Sequence, residues 1–474
     1  MKRLILFLFA VAIGTTYPQN PGLGNNSANA NSTAVAADKL NAKVQTADSS
    51  AEKIYVLTLN DAISIARKNN KDVLIAGQDM SKAEAQIDEA YGNAFPQLDF
   101  TAGYQRFFEL PSLFIAPNTP FNQSPSTLTM KMGANNSFST TLSLSQVLFS
   151  AKLNSAIEAA KEYSKVSESN VQATNEDVEL AVKKTFYSVL LAKNVVDVSR
   201  QSLDLAKANY ENVSQLYKQG MAAEFDFLRS EVQVANTEPA LSQAENNLVL
   251  ALNALKNLLG IDISKKIALQ GALEMEEVPA GVIESESKMV LERNSTLKGL
   301  QAQEQLLEKS IQIQKADYYP SLAAIGQYQY QSQDNTFKFS QYNWASTFVV
   351  GLQLSFPIFN GMQTKYRVEQ AQIDKDKLVL NRQKFEDGLK IQIENAKLKM
   401  SEAKQRIGAQ VRSVEQATKA VSIAEVRFKN GLGTQVELID AQVALTRTQI
   451  NKAQAVYDYL VSKSDWERLS GYKK

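Results

Sequence analysis

The sequence predicts a mainly α fold with a small β part, built from one unit used twice. That unit is a strand hairpin, a long coiled-coil helix, a sharp turn and a shorter return helix. Three observations carry the prediction. The first is a repeat. Leu142–Phe149 aligns with Leu352–Phe359 at an offset of 210 residues, Tyr217–Met221 with Phe428–Leu432 at 211, and Gly260 with Gly471 also at 211. Upstream, Pro96-Gln97-Leu98 aligns with Pro320-Ser321-Leu322 at 224. Similarity over such a period means a duplicated unit and internal pseudo-symmetry. The second is length. After each hairpin the chain runs 69 residues without Pro, from Ala151 to Gln219 and from Met362 to Asn430. As helix each run spans roughly 100 Å at 1.5 Å per residue, far beyond a globular helix, which implies a coiled coil. The third is alternation of period two in four short segments, a strand signal.

Taken in order, Met1-Lys2-Arg3 followed by an apolar run from Leu4 to Ile13 reads as a secretory signal peptide over 1–18. A buried N-terminal helix is the alternative; the run is too short to span a bilayer. The chain has no Cys, so no N-terminal lipid anchor is expected. Residues 19–53, rich in Asn, Ala and Ser, read as a flexible leader. The first repeat is placed over 54–260. It opens with an apolar segment, Ile54 to Leu59, and a helix capped by Asn60 or Asp61, with a break near Asn69-Asn70.

The first strand hairpin is placed over 97–149. Leu98, Phe100, Ala102 and Tyr104 alternate with Asp99, Thr101, Gly103 and Gln105, and Phe138, Leu142, Leu144 and Leu148 share one face of the partner strand. Its loop holds Pro111, Pro117, Pro120 and Pro125. A long helix over 151–219 and a return helix over 224–259 follow, the latter kinked or broken by Pro239. Residues 261–282 read as a linker at mid-height. The second repeat, 283–474, has a helix to about 318, a hairpin over 321–358, a long helix over 362–430 and a return helix over 435–470. Val436, Ile439, Val443, Thr446, Ile450, Ala453, Tyr457 and Leu460 form a heptad seam on that return helix. A 36-residue return covers half of a 69-residue helix, so each long helix packs against two short ones laid end to end.

Composition removes several functions. There are 51 basic and 50 acidic residues, so no basic stripe points to nucleic acid. With neither His nor Cys, thiol nucleophiles, histidine bases and the usual zinc and haem ligands are absent. Nothing suggests a cofactor or metal site. The alternating segments have the ~9–11 residue length of tilted membrane strands, and Tyr328, Tyr330, Tyr342 and Trp344 suit an interfacial aromatic girdle. Soluble antiparallel sheets show the same alternation, so the strands alone leave both options open.

The order of these parts resembles the TolC-type outer-membrane efflux protein family. The matching residues are Leu57-Thr58-Leu59-Asn60-Asp61-Ala62, Phe356-Pro357-Ile358-Phe359-Asn360-Gly361, and Arg427 to Thr434 continuing to Glu437-Leu438-Ile439-Asp440-Ala441. The resemblance implies a homotrimer, each chain giving four strands to a shared β-barrel in outer-membrane lipid, continued by a periplasmic α-helical tunnel. It implies a passive exit duct in tripartite efflux or type I secretion, docked by a periplasmic adaptor (membrane fusion protein) and powered by an inner-membrane pump of RND, ABC or MFS type. The resemblance implies adaptor docking at Gly220, Met221, Gly431, Leu432 and Thr434. It likewise implies a periplasmic aperture at Asp226, Glu437 and Asp440, the last two giving a ring of six carboxylates in a trimer. Phe428 and Gly433 depart from the Tyr and the cation often found there.

Each site also has a plainer reading. Both glycines suit chain reversal, and Thr434 with Glu437 fits a capping box. The carboxylates fit a solvated helix face. Glycosidase chemistry is rejected because the pair flanks a coiled-coil tip rather than a pocket. The alternative function is a soluble periplasmic coiled-coil scaffold or adaptor.

Overall fold

The computed structural model describes residues 55–472; the expected signal peptide and leader lie outside them. The first described element is a short strand, β1 (Tyr55–Leu57). Thr58 then caps α1 (Leu59–Asn69): its hydroxyl accepts from the Asp61 amide, while the Asp61 carboxylate accepts from the Thr58 amide and hydroxyl. The cap is therefore Thr58, with Asp61 as its reciprocal partner one turn in, rather than Asn60 or Asp61 itself.

Asn70 makes the break before α2 (Lys71–Gly92). Its side-chain oxygen accepts from the Asp72 and Val73 amides and its Nδ2 donates to the Leu258 carbonyl. The second repeat has the same joint. Asn294 separates α5 (Ala280–Arg293) from α6 (Ser295–Ala316), accepting from the Leu297 amide and donating to the Leu469 carbonyl. The single helix expected there is thus two. Each joint is closed by a left-handed glycine. A Cβ on Gly260, at φ +65°, would lie 2.5 Å from the Asn69 carbonyl oxygen, and one on Gly471, at φ +66°, 3.1 Å from Arg293 Cβ. Only Gly permits both the backbone angle and the approach.

Four strands form one antiparallel sheet: β2 (Gln97–Arg106), β5 (Asn136–Ser150), β7 (Ser321–Asp334) and β8 (Ala345–Ser355), in the order β2-β5-β7-β8. Between β2 and β5 the Pro-containing loop carries a small hairpin, β3 (Ser112–Ile115) with β4 (Leu128–Lys131), too short for its alternation to register in the sequence. The rung Phe100–Leu142–Tyr328–Phe348 lies on one face and Thr101–Thr141–Gln329–Thr347 on the other. One face is therefore apolar and the other polar. A bulge between Val147 and Phe149 brings Phe149, rather than Leu148, opposite Leu322 on the apolar face. At one end of the sheet, Tyr330 stacks on Trp344 at 4.8 Å and Phe138 lies 5.5 Å from Tyr342. Among the described residues β2 and β8 are open edges.

The long helices are α3 (Ala151–Lys218) and α7 (Gln363–Lys429); the returns are α4 (Glu224–Leu258) and α8 (Gln435–Ser470). α4 runs unbroken through Pro239, so the expected break does not occur. Pro239 is exposed, so the lost backbone bond faces solvent while the other side of α4 stays packed on α3. α3 packs against α2 and α4, and α7 against α6 and α8. α3 also packs against α6 and α8, which ties the repeats together.

The core sits at the middle of the long helices. Val182, Phe186 and Val189 of α3 meet Ala62, Ala66, Leu255 and Leu259. Leu389, Ile393 and Met400 of α7 meet Leu297, Tyr459 and Trp466, the last fully buried. The linker closes over this level: β6 (Ile267–Leu269) pairs in parallel with β1, and the Val278 amide donates to the Tyr459 hydroxyl. An ion network crosses the same level. Lys183 lies 3.0 Å from Glu179 and 2.9 Å from Glu467, Arg67 2.6 Å from Glu179, Lys463 2.7 Å from Glu276, and Arg468 2.8 Å from Asp177. Among the described residues no helix is long and apolar enough to cross a membrane.

Candidate functional site

The candidate site is the pair of tips where α3 turns into α4 and α7 into α8. Each turn has the same local cause. Gly220 (φ +72°) and Gly431 (φ +69°) take the left-handed position. The Met221 amide donates to the Leu216 carbonyl and the Gly220 amide to that of Tyr217; the Leu432 and Gly431 amides repeat this to Arg427 and Phe428. This Schellman pattern satisfies carbonyls left open at the helix ends. Met221 and Leu432 then point into solvent, 66% and 72% exposed. Each turn thus holds one large apolar side chain outward instead of packing it against its own helices.

The tips differ in what locks them. At the first, Tyr217 stacks on Phe227 at 5.1 Å and Tyr210 approaches the same ring at 5.7 Å. Its cap residue Ala223 gives no side-chain bond, and Asp226 sits half-buried in the first turn of α4. At the second, the Thr434 hydroxyl accepts from the Glu437 amide at 3.3 Å. The Glu437 carboxylate lies 3.6 Å from Arg427, which donates to the Leu432 carbonyl. The capping box expected of Thr434 and Glu437 is therefore half made, because Arg427 draws the carboxylate away. Thr434→Ala is expected to cost about 1 kcal/mol locally, seen as faster amide exchange at the start of α8 with the sheet unchanged.

Sequence reasoning missed Arg427 as part of the site, although a cation in the last turn of a helix is a recognisable signal. It also missed the Tyr217–Phe227 clasp. Glu437 and Asp440 are both exposed on the first turns of α8, beside buried Leu438 and Ile439. They share a face, as their spacing requires. Among the described residues no cluster of three or more His, Cys, Asp or Glu could hold a metal ion.

The second feature is the sheet at the opposite end of the long helices. Val350, Leu352 and Leu354 are each exposed by about two thirds on its apolar face. Exposed apolar positions also run along α7 at Leu380, Ile391 and Leu398, and along α4 at Leu228 and Val232.

Comparison with known proteins matches this architecture. The family model described as "Outer membrane efflux protein" fits residues 62–261 and 287–471. The chain is 23% identical over 421 residues to outer membrane protein TolC of Vibrio cholerae, covering 86% of this chain and 89% of the relative. It is 22% identical over 346 residues to the alkaline protease secretion protein AprF of Pseudomonas aeruginosa, covering 71% and 69%. The crystal structure of the Campylobacter jejuni CmeC outer membrane channel superposes with a TM-score of 0.69 at 19% identity, over 87% of this chain and 85% of that one.

Proposed function

The chain belongs to the outer membrane efflux protein family, and from that premise we propose that it is the outer-membrane exit duct of a tripartite efflux or type I secretion system. The observation that carries this is the open, two-faced sheet of four strands at one end of ~100 Å helices. In lipid every backbone group must be paired, so β2 and β8 cannot remain edges. Three copies supply twelve strands and close the barrel, and the exposed apolar positions on α4 and α7 supply the contacts between copies. Strand pairing demands oligomerisation, and membership of the family implies that the number of copies is three. Similarity to a protein named for protease secretion keeps protein cargo beside small-molecule efflux. The duct performs no covalent chemistry.

At the other end, Met221 and Leu432 are the surfaces for the helical hairpins of a periplasmic adaptor, with Gly220, Gly431 and Thr434 shaping the turns. The inner-membrane pump, of RND, ABC or MFS type, supplies the energy. Asp226 marks the first tip and Glu437 and Asp440 the mouth. Arg427 compensates Glu437 within each chain, so Asp440 supplies the larger uncompensated charge: three carboxylates per trimer rather than six. Such a ring favours cations and binds multivalent ones.

The test is assembly and conductance. The mature protein is expected in the outer-membrane fraction, extracted only by detergent as a trimer, and forming channels in planar bilayers. Trivalent cations added at the tip side should block these channels, and Asp440→Asn should weaken the block at least about tenfold. A soluble monomer without detergent would sink the channel reading. Unchanged block in Asp440→Asn would remove Asp440 from the mouth.

A further inference from the structure

We propose that Asp99 sets the ion preference of the barrel section, acting alone in an otherwise uncharged lumen lined by hydroxyls and amides; this rests on the channel reading above. The strand register carries the argument. On the polar face, Asp99 of β2 lies opposite Ser143 of β5, followed across the sheet by Gln327 of β7 and Val349 of β8. Every other position on that face, across the four strands, is Ser, Thr, Gln, Gly or an uncharged apolar residue. No cation shares the rung, whose other members are Ser143, Gln327 and Val349. The remaining strand charges, Arg106 and Asp334, fall at strand ends on the other parity, flanking Asn136.

Hydroxyl and amide dipoles hydrate cargo without favouring either sign. A fixed carboxylate in a water-filled tube with low-dielectric walls focuses its field along the axis. Three copies place three Asp99 carboxylates at one level, three residues into the strand that follows α2. The mouth carboxylates lie at the far end of helices roughly 100 Å long, about ten Debye lengths away at 0.1 M salt. The two rings therefore act independently. Asp99 raises cation over anion passage through the barrel, while the neutral lining leaves large uncharged cargo unaffected.

The experiment is the reversal potential of single channels in a KCl gradient around 0.1 M. Asp99→Asn is expected to lower the potassium-to-chloride permeability ratio about twofold or more, Asp99→Lys to lower it further, and Asp99→Glu to keep it. At 1 M salt, where the screening length is about 3 Å, the difference should vanish. Asp99→Asn and Asp99→Lys channels of wild-type conductance with an unchanged ratio would overturn the inference. Failure of Asp99→Asn to assemble while Asp99→Glu assembles would overturn it too, giving Asp99 a structural part. If the wild type forms no channels, the channel reading itself fails.

Discussion

Val350→Lys is expected to remove the protein from the outer membrane, while Val349→Lys should leave it there. The two residues are adjacent in the middle of β8, share a backbone environment, and are both at least half exposed in the single chain. They differ only in face. Val350 pairs with Gly326 on the apolar side and Val349 with Gln327 on the polar side. A Lys facing lipid at the bilayer midplane costs about 2–4 kcal/mol, whereas lumen positions tolerate charge. The trimer applies that cost three times, about 6–12 kcal/mol in all, which is as large as the roughly 5–15 kcal/mol margin of an ordinary fold. Outer-membrane fractionation and the trimer band before heating give the readout. Equal loss of both variants would mean that neither valine reports on lipid; loss of Val349→Lys alone would mean that the polar face is outward.

Lys183→Met is the second large effect, expected to destabilise the mid-height joint by about 2–3 kcal/mol. Removing one member of a buried ion pair costs about 3–5 kcal/mol; Lys183 keeps 19% of its side chain exposed, so the lower figure applies. Burial alone pushes the Lys183 amine down, but Glu467 and Glu179 outweigh it and hold it above its ordinary 10.5. Burial pushes Glu179 up, and Lys183 with Arg67 outweigh that and hold it below its ordinary 4.5. The signs define a window. The Glu179 contribution is present above about pH 4.5 and is lost as pH falls through its lowered value. The Lys183 contribution is present below about pH 10.5 and is lost as pH rises through its raised value. In Lys183→Met, Glu179 keeps only Arg67 against burial, so its carboxyl rises from the lowered value it holds in the wild type. The wild type gains the Glu179 contribution as pH rises toward 4.5 and the variant gains less of it, so the deficit in thermal unfolding should be larger at pH 6 than at pH 3. A deficit independent of pH would assign Lys183 a packing part only.

Much of the helical frame was legible. The Pro-free runs, the glycine turns and the repeat offset placed the ends of α3, α4, α7 and α8 within a residue or two of where they fall. Each of those signals is local: a period, a breaker, a left-handed glycine. What escaped depended on distant partners. Asn294 looks unremarkable in its own segment and becomes a joint only because the Leu469 carbonyl accepts its amide. Thr58 outranks Asn60 as a cap because Asp61 returns the bond. Pro239 fails to break α4 because the helix is held along its other face. At the tips, the glycines and Thr434 could be read directly, but Arg427 acquires its part from where the turn folds it, beside Glu437 and the Leu432 carbonyl.

The sequence by itself determined that one unit is used twice, how long its helices are, where they reverse, and which residues alternate on the strands. Those properties follow from backbone preferences and side-chain periods that act over a few residues. The tertiary structure alone decided which faces meet: β1 with β6 across some two hundred residues, Lys183 with Glu467 across nearly three hundred, and Asp99 on a rung without a cation. Such pairings exist only once the chain has closed on itself, because both partners are needed to define either one.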